Sequence, residues 1–161
     1  MNFIVNVLII LVLSTVIFTF NGQSQTNFSG SWNLREKTHI SGPEYANGAP
    51  AAFTVQQGRD SIIIIYPEYN TRISFAQNGK PSASTGTQSG RKVIRNLKWS
   101  DDKKSVTFTS DIYKSDNENE IELTRIDNWK LSDDSKQLNF HRRSVETITE
   151  SWEVSAVYDK K

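Results

Sequence analysis

The chain has 161 residues, 19 Lys and Arg against 18 Asp and Glu, a net charge of +1 and no cysteine. That length suits one domain and is short for two. The even charge balance provides no basic patch of the kind phosphate backbones demand, so nucleic acid is not an expected partner. Without cysteine there is no disulfide framework and no thiol nucleophile, and the fold must be held by its core alone.

The N-terminal segment differs from everything after it. Phe3 to Phe20 is apolar apart from Asn6, Ser14, Thr15 and Thr19, and every charged side chain lies downstream. An apolar run followed by small residues near a polar exit has the order of a signal peptide. Gly22 and Ser24 place the cut before Gln25, giving a signal peptide over 1–24 and a single β domain over 25–161. The run carries no Lys or Arg ahead of it, and its length reaches the lower edge of what an uncleaved anchor needs. Its polar, small-residue exit favours cleavage. The expectation is therefore an exported protein, periplasmic or secreted, with no membrane attachment after cleavage.

From residue 27 onward the apolar period is almost everywhere two. Val106, Phe108, Ser110 and Ile112 alternate with polar neighbours, as do Leu138 with Phe140 and the series Trp152, Val154, Ala156, Tyr158. Such alternation marks strands with one wet and one buried face. Turn signals recur at Gln57-Gly58-Arg59-Asp60, Gln77-Asn78-Gly79-Lys80, Ser100-Asp101-Asp102-Lys103, Lys114-Ser115-Asp116-Asn117 and Ser132-Asp133-Asp134-Ser135. They divide the chain into strands over 31–38, 52–57, 61–66, 71–77, 82–88, 91–99, 105–113, 119–131, 136–143 and 148–158. Helix is confined to a turn near 25–29 or within the 41–51 loop. The fold class expected is all-β, an antiparallel up-and-down barrel of about 8–10 strands, with a β-sandwich as the alternative.

Two stretches stand out. Trp99-Ser100-Asp101-Asp102 through Phe108 is echoed by Leu131-Ser132-Asp133-Asp134 through Phe140, which reads as two equivalent hairpins of one meander. The low-complexity segment Ser82 to Gly90 has nothing to bury and reads as a weak edge strand or a loop.

At Phe28-Ser29-Gly30-Ser31-Trp32-Asn33-Leu34 the chain resembles lipocalin-like proteins, whose first strand carries a Gly-x-Trp signature. With the paired Ser-x-Asp-x-Lys turns and the tail Val157-Tyr158-Asp159-Lys160-Lys161, it is similar to small exported bacterial lipocalin-like proteins of unassigned function. The resemblance implies a closed eight-stranded barrel around an apolar cavity, with Trp32 closing one end. It also implies an Arg from a late strand packed across that Trp, for which Arg142 and Arg143 are the candidates.

Residues that share the inward parity define a candidate ligand site of Trp32, Leu34, Phe75, Phe108, Arg125, Trp129, Phe140, Arg142, Glu150 and Trp152. The tryptophans, Trp99 included, read as core filling, or alternatively as stacking platforms for sugar; Tyr45, Tyr66 and Tyr69 are further platform candidates. Arg125, Asp127, Arg142 and Glu150 carry charge onto the apolar face. They must pair, meet a polar ligand or escape through a bulge, because an unpaired charge there is costly. A short loop at 145–147 would set Arg142 opposite Glu150. Ser61-Ile62-Ile63-Ile64-Ile65-Tyr66 breaks the alternation and points to self-association through Ile62, Ile63, Ile64 and Ile65.

No metal-ligand spacing involves His39 or His141, no Gly-x-Ser-x-Gly elbow occurs, and the Asp pairs lack the grammar of calcium loops. No cofactor or metal is expected. Three readings follow, in order. The first is an exported binding protein for a small, largely apolar ligand. The second is a filled β domain recognising carbohydrate or protein by its surface. The third is an enzyme at the barrel mouth using Arg142, Glu150 and His141.

Overall fold

The computed structural model describes residues 24–43, 48–86 and 89–161. The apolar run over 3–20, nearly all of the expected signal peptide, and Tyr45 lie outside the described residues. The alternating positions build ten strands: β1 (Gly30–Ser41), β2 (Ala52–Gln57), β3 (Ser61–Tyr66), β4 (Thr71–Ala76), β5 (Ser82–Thr85), β6 (Lys92–Trp99), β7 (Ser105–Tyr113), β8 (Ile121–Leu131), β9 (Gln137–Glu146) and β10 (Trp152–Lys160). No α-helix occurs among the described residues, nor any helical turn in the described parts of 25–29 and 41–51. A single 3-10 turn forms instead at Pro67–Tyr69. Pro67 presets its φ, and Asn70 closes it with a left-handed φ of 45°.

Each strand pairs antiparallel in one sheet of order β4-β3-β2-β1-β10-β9-β8-β7-β6-β5. The sheet curls until β4 approaches β6 past the short β5, leaving a nearly closed up-and-down barrel. This is consistent with a lipocalin-like fold and sets the sandwich aside. All ten segments belong to the sheet, so none merges or lies outside it as an eight-stranded pattern requires. β10 starts at Trp152, later than expected, because the preceding turn is longer: the Glu146 N–H donates to Ser151 Oγ at 3.1 Å and holds the chain back from re-pairing.

One end of the barrel is solid. Residues 26–29 cross it, held by Thr26 N–H to Lys103 O at 3.0 Å and by Gln57, whose amide joins Phe28 N–H at 2.9 Å and Thr26 O at 3.0 Å. Phe28 then packs on Trp99 and Trp129 at centroid distances of 5.9 and 6.0 Å, and Trp129 meets Phe108 at 4.7 Å and Phe53 at 5.1 Å. Trp32 is fully buried there and donates its indole N–H to Phe28 O at 3.0 Å. Each such ring contributes on the order of 2–3 kcal/mol by leaving water. Neither late-strand Arg packs across Trp32. Lys160 does so, its Nζ 5.4 Å from the ring centroid. Arg142 is held elsewhere, on Asp127, and Arg143 points outward.

The repeated turns are structural twins. Ser100 Oγ donates to Asp102 at 2.6 Å and Ser132 Oγ to Asp134 at 2.6 Å; the Lys104 and Lys136 N–H groups donate to the same carboxylates at 3.0 and 3.1 Å. Lys103 and Ser135 take matching left-handed φ values of 56° and 58°. In the isoleucine run, Ile62 and Ile64 are buried while Ile63 and Ile65 are half-buried on the outer face. Both backbone edges of β3 are used by β2 and β4.

Candidate functional site

Inward side chains of neighbouring strands meet in layers, because cross-strand partners share a face. Next to the solid end the layer is Trp99, Val106, Trp129, Phe140 and Ala156. One step on, Leu97, Phe108, Asp127, Arg142 and Val154 lie in register, and beyond them come Arg95, Ser110, Arg125, Ser144 and Trp152. The interior thus passes from aromatic to ionic to polar along the barrel axis.

The ionic layer is closed on itself. Arg142 and Asp127 are both buried and form a two-pronged pair, Nε to Oδ1 at 2.7 Å and Nη2 to Oδ2 at 2.6 Å. Nη1 donates to Gly48 O at 2.6 Å, and Nη2 also reaches the Tyr66 hydroxyl at 3.5 Å. Burial opposes the charge of Arg142, but Asp127 outweighs it and holds the guanidinium above its ordinary pKa. Burial pushes the Tyr66 hydroxyl up, with Arg142 opposing. The pair also anchors the loop before β2. Gly48 sits against Arg142 and Trp152, and Tyr158 donates to Pro50 O at 2.9 Å beside it.

Past this layer the barrel is hollow. A cavity of about 790 Å³ is walled by apolar side chains of β3, β4, β6 and β7, among them Ile64, Ile73, Phe75, Val93, Phe108 and Ile112. It reaches both free edges of the sheet, Thr71–Ala76 of β4 and Ser82–Thr85 of β5. Its polar lining includes Tyr66, Arg95, Ser110, Arg125, Asp127 and Arg142 deep in the barrel, and the serine and threonine side chains of β4 and β5 at its edges.

The structure divides the residues expected at the site. Phe75, Phe108, Arg125 and Arg142 line the cavity. Trp32, Trp129 and Phe140 belong to the solid end, and Leu34 packs half-buried against that core. Trp152 is half-buried beside the chamber, its ring 5.6 Å from the Arg125 guanidinium. Glu150 is exposed in the β9–β10 turn and does not face Arg142, whose partner on β10 is Val154. The bulge that would have turned Arg125 outward is absent: the β7–β8 ladder is regular there and shifts only between Ile112 and Tyr113. Tyr66 proves to be an inward cavity residue, while Tyr69 is exposed at its rim.

Sequence reasoning missed Arg95 and the aliphatic walls on β3 and β4, and it put Ser110 on the face of Val106 and Phe108 without assigning it to the site. For Arg95 a signal existed, since it shares the facing of Val93, Leu97 and Trp99 along β6. His141 points outward to Glu153 at 3.6 Å, so it does not converge with Arg142. No group of three metal-binding side chains occurs among the described residues. Compared with known proteins, the chain matches no family model and no curated protein.

Proposed function

We propose that this protein binds a small, largely apolar molecule inside the barrel, as an exported member of the lipocalin-like proteins. The observation that carries this reading is the cavity of about 790 Å³, whose lining surface is for the larger part apolar, with arginine, aspartate and hydroxyl groups set among the aliphatic and aromatic side chains. Ligand sites for small molecules fall in this volume range and have this composition. A barrel packed solid by its rings could act only by its surface; here the rings fill one end and leave the other hollow. The apolar N-terminal run supports release to the periplasm or exterior. Ile63 and Ile65, half-buried on the outer face, support association of two copies through β3.

Native mass spectrometry of protein purified from its own cells tests the reading by reporting bound small molecules directly. Titration with Nile red, a neutral apolar dye, gives the complementary measurement. The dye is expected to bind at one site with a blue-shifted emission, and Ile73→Trp, which fills the chamber from β4, is expected to abolish this while the fold persists. Undiminished dye binding by a folded Ile73→Trp variant would overturn it.

A further inference from the structure

We propose that the ligand carries a singly charged oxyanion head group, a carboxylate or its equivalent, received by Arg125 with Arg95 as second donor. This deepens the binding reading above and rests on it.

Arg125 points into the chamber from the middle of β8, yet it has no hydrogen bond or ion pair with any described residue. Its Nε is closed off from solvent without a partner among the described residues, and its guanidinium lies 5.6 Å from the centre of the Trp152 ring. The inward carboxylate one layer below is already used. Asp127 gives both oxygens to Arg142, so its charge is matched before Arg125 is considered. Glu146 lies one step further toward the open end, takes the Ser144 hydroxyl, and comes within ion-pair distance of neither arginine. Arg95 repeats the pattern from β6: it faces the chamber, its Nε is buried without a partner, and only a hydroxyl, Ser84 Oγ, meets its Nη1. The indole N–H groups of Trp99 and Trp129 are also unpartnered, but they are neutral and belong to the packed end.

The charges lining the chamber sum the same way. Among the described inward residues Arg95, Arg125 and Arg142 stand against Asp127 and Glu146, three cations against two anions, a surplus of +1. A largely buried guanidinium with no paired counter-charge among the described residues is costly, and an oxyanion with its fork geometry relieves that cost. The planar fork accepts a carboxylate through two parallel N–H bonds. Ser110 lies opposite Arg125 in the β7–β8 ladder and offers a hydroxyl at the same level. The aliphatic walls on β3, β4, β6 and β7 then take the remainder of the molecule. The implied ligand class is an amphiphile with one negative end.

The test compares dodecanoate, dodecyl sulfate, dodecanol and dodecyltrimethylammonium as competitors of Nile red on the full mature chain. Both anions are expected to compete about tenfold or more better than dodecanol, the worth of one charge-assisted fork, and the cation worst. Arg125→Met is expected to bring both anions down to the level of dodecanol, and to melt no lower than the wild type because it removes a charge that no described residue pairs. Arg95→Met, an independent variant, is expected to reduce the preference in part. Equal competition by anions and dodecanol sinks the head-group proposal and leaves the apolar cavity standing. A preference that survives in folded Arg125→Met sinks it too. Failure of every amphiphile and of Nile red removes the binding reading itself.

Discussion

Replacing Asp127 by Asn would leave the shape of the ionic layer intact and remove one charge from it. Arg142 would then retain its cation with only neutral partners, the new amide oxygen, Gly48 O and the Tyr66 hydroxyl. The side chains of the pair are 11% and 9% exposed, so water can do little to screen the orphan. At about 4 Å between charge centres and an effective dielectric of about 20, the lost attraction is roughly 4 kcal/mol. Breaking buried pairs on one side costs about 3–5 kcal/mol. For a domain whose whole stability is of order 5–15 kcal/mol, the expected result is a fall in Tm of roughly 10–20 °C. Urea unfolding followed by tryptophan fluorescence measures this, since Trp129 lies one layer below the pair. Arg142→Met should cost as much, by orphaning Asp127. The double variant Asp127→Leu with Arg142→Met should recover most of the loss, because an ion pair and a well-packed apolar pair are close in free energy. If Asp127→Asn unfolds within about 1 kcal/mol of the wild type, the pair is not a desolvated unit and the layered account of the interior fails.

Three further outcomes are expected. Gly48→Ala should drive its new methyl into the Trp152 ring and the Arg142 stem, costing about 1–3 kcal/mol in urea unfolding and altering dye affinity together. Trp32→Ala should cost about 3–5 kcal/mol, through a cavity in the solid end and a lost bond to Phe28 O, while leaving Nile red affinity nearly unchanged. The Ser100 hydroxyl and then the Lys104 N–H hold the Asp102 carboxyl below the usual carboxylate range, and Ser132 and Lys136 do the same for Asp134. Depressed acids add stability above their unfolded pKa and lose it as pH falls through the folded one. Asp102→Asn with Asp134→Asn should therefore narrow the stability gap to wild type on going below about pH 4, as read from thermal melts across pH.

Much of the fold was legible because a period of two survives wherever one face of a sheet is wet. Trp152, Val154, Ala156 and Tyr158 all carry the facing that alternation assigned them. Partners were harder. The short loop expected at 145–147 set Arg142 opposite Glu150, whereas the register sets it opposite Val154. That slip of four residues, 154 less 150, is even, so every facing was preserved and every partner changed. The other end of β9 held the better guide. The Ser132 turn pairs Leu131 with Leu138, and counting four back and four on brings Asp127 against Arg142. The cavity was less legible, since a hollow depends on which layers hold rings and which hold serine, and on where the sheet leaves its gap.

That gap and the arginine left unpaired among the described residues belong to one physical arrangement. β5 has four residues and small side chains, too little to close a ladder with β4, so both edges stay open beside the chamber. Open edges leave N–H and C=O groups to water, which keeps the entry wet while the walls beyond it are apolar. The Asp127–Arg142 pair forms the floor, and because it consumes its own carboxylate it passes no negative charge upward. Arg125, one layer higher, therefore presents its cation to whatever enters, lowered from the ordinary guanidinium pKa by burial and then by Arg142. A neutral residue at that place would pack better beside Trp152 and Ser110. On the head-group proposal an anion from outside the chain meets this charge, and a folded, more stable Arg125→Met protein that has lost its preference for anions is the combination that the proposal requires.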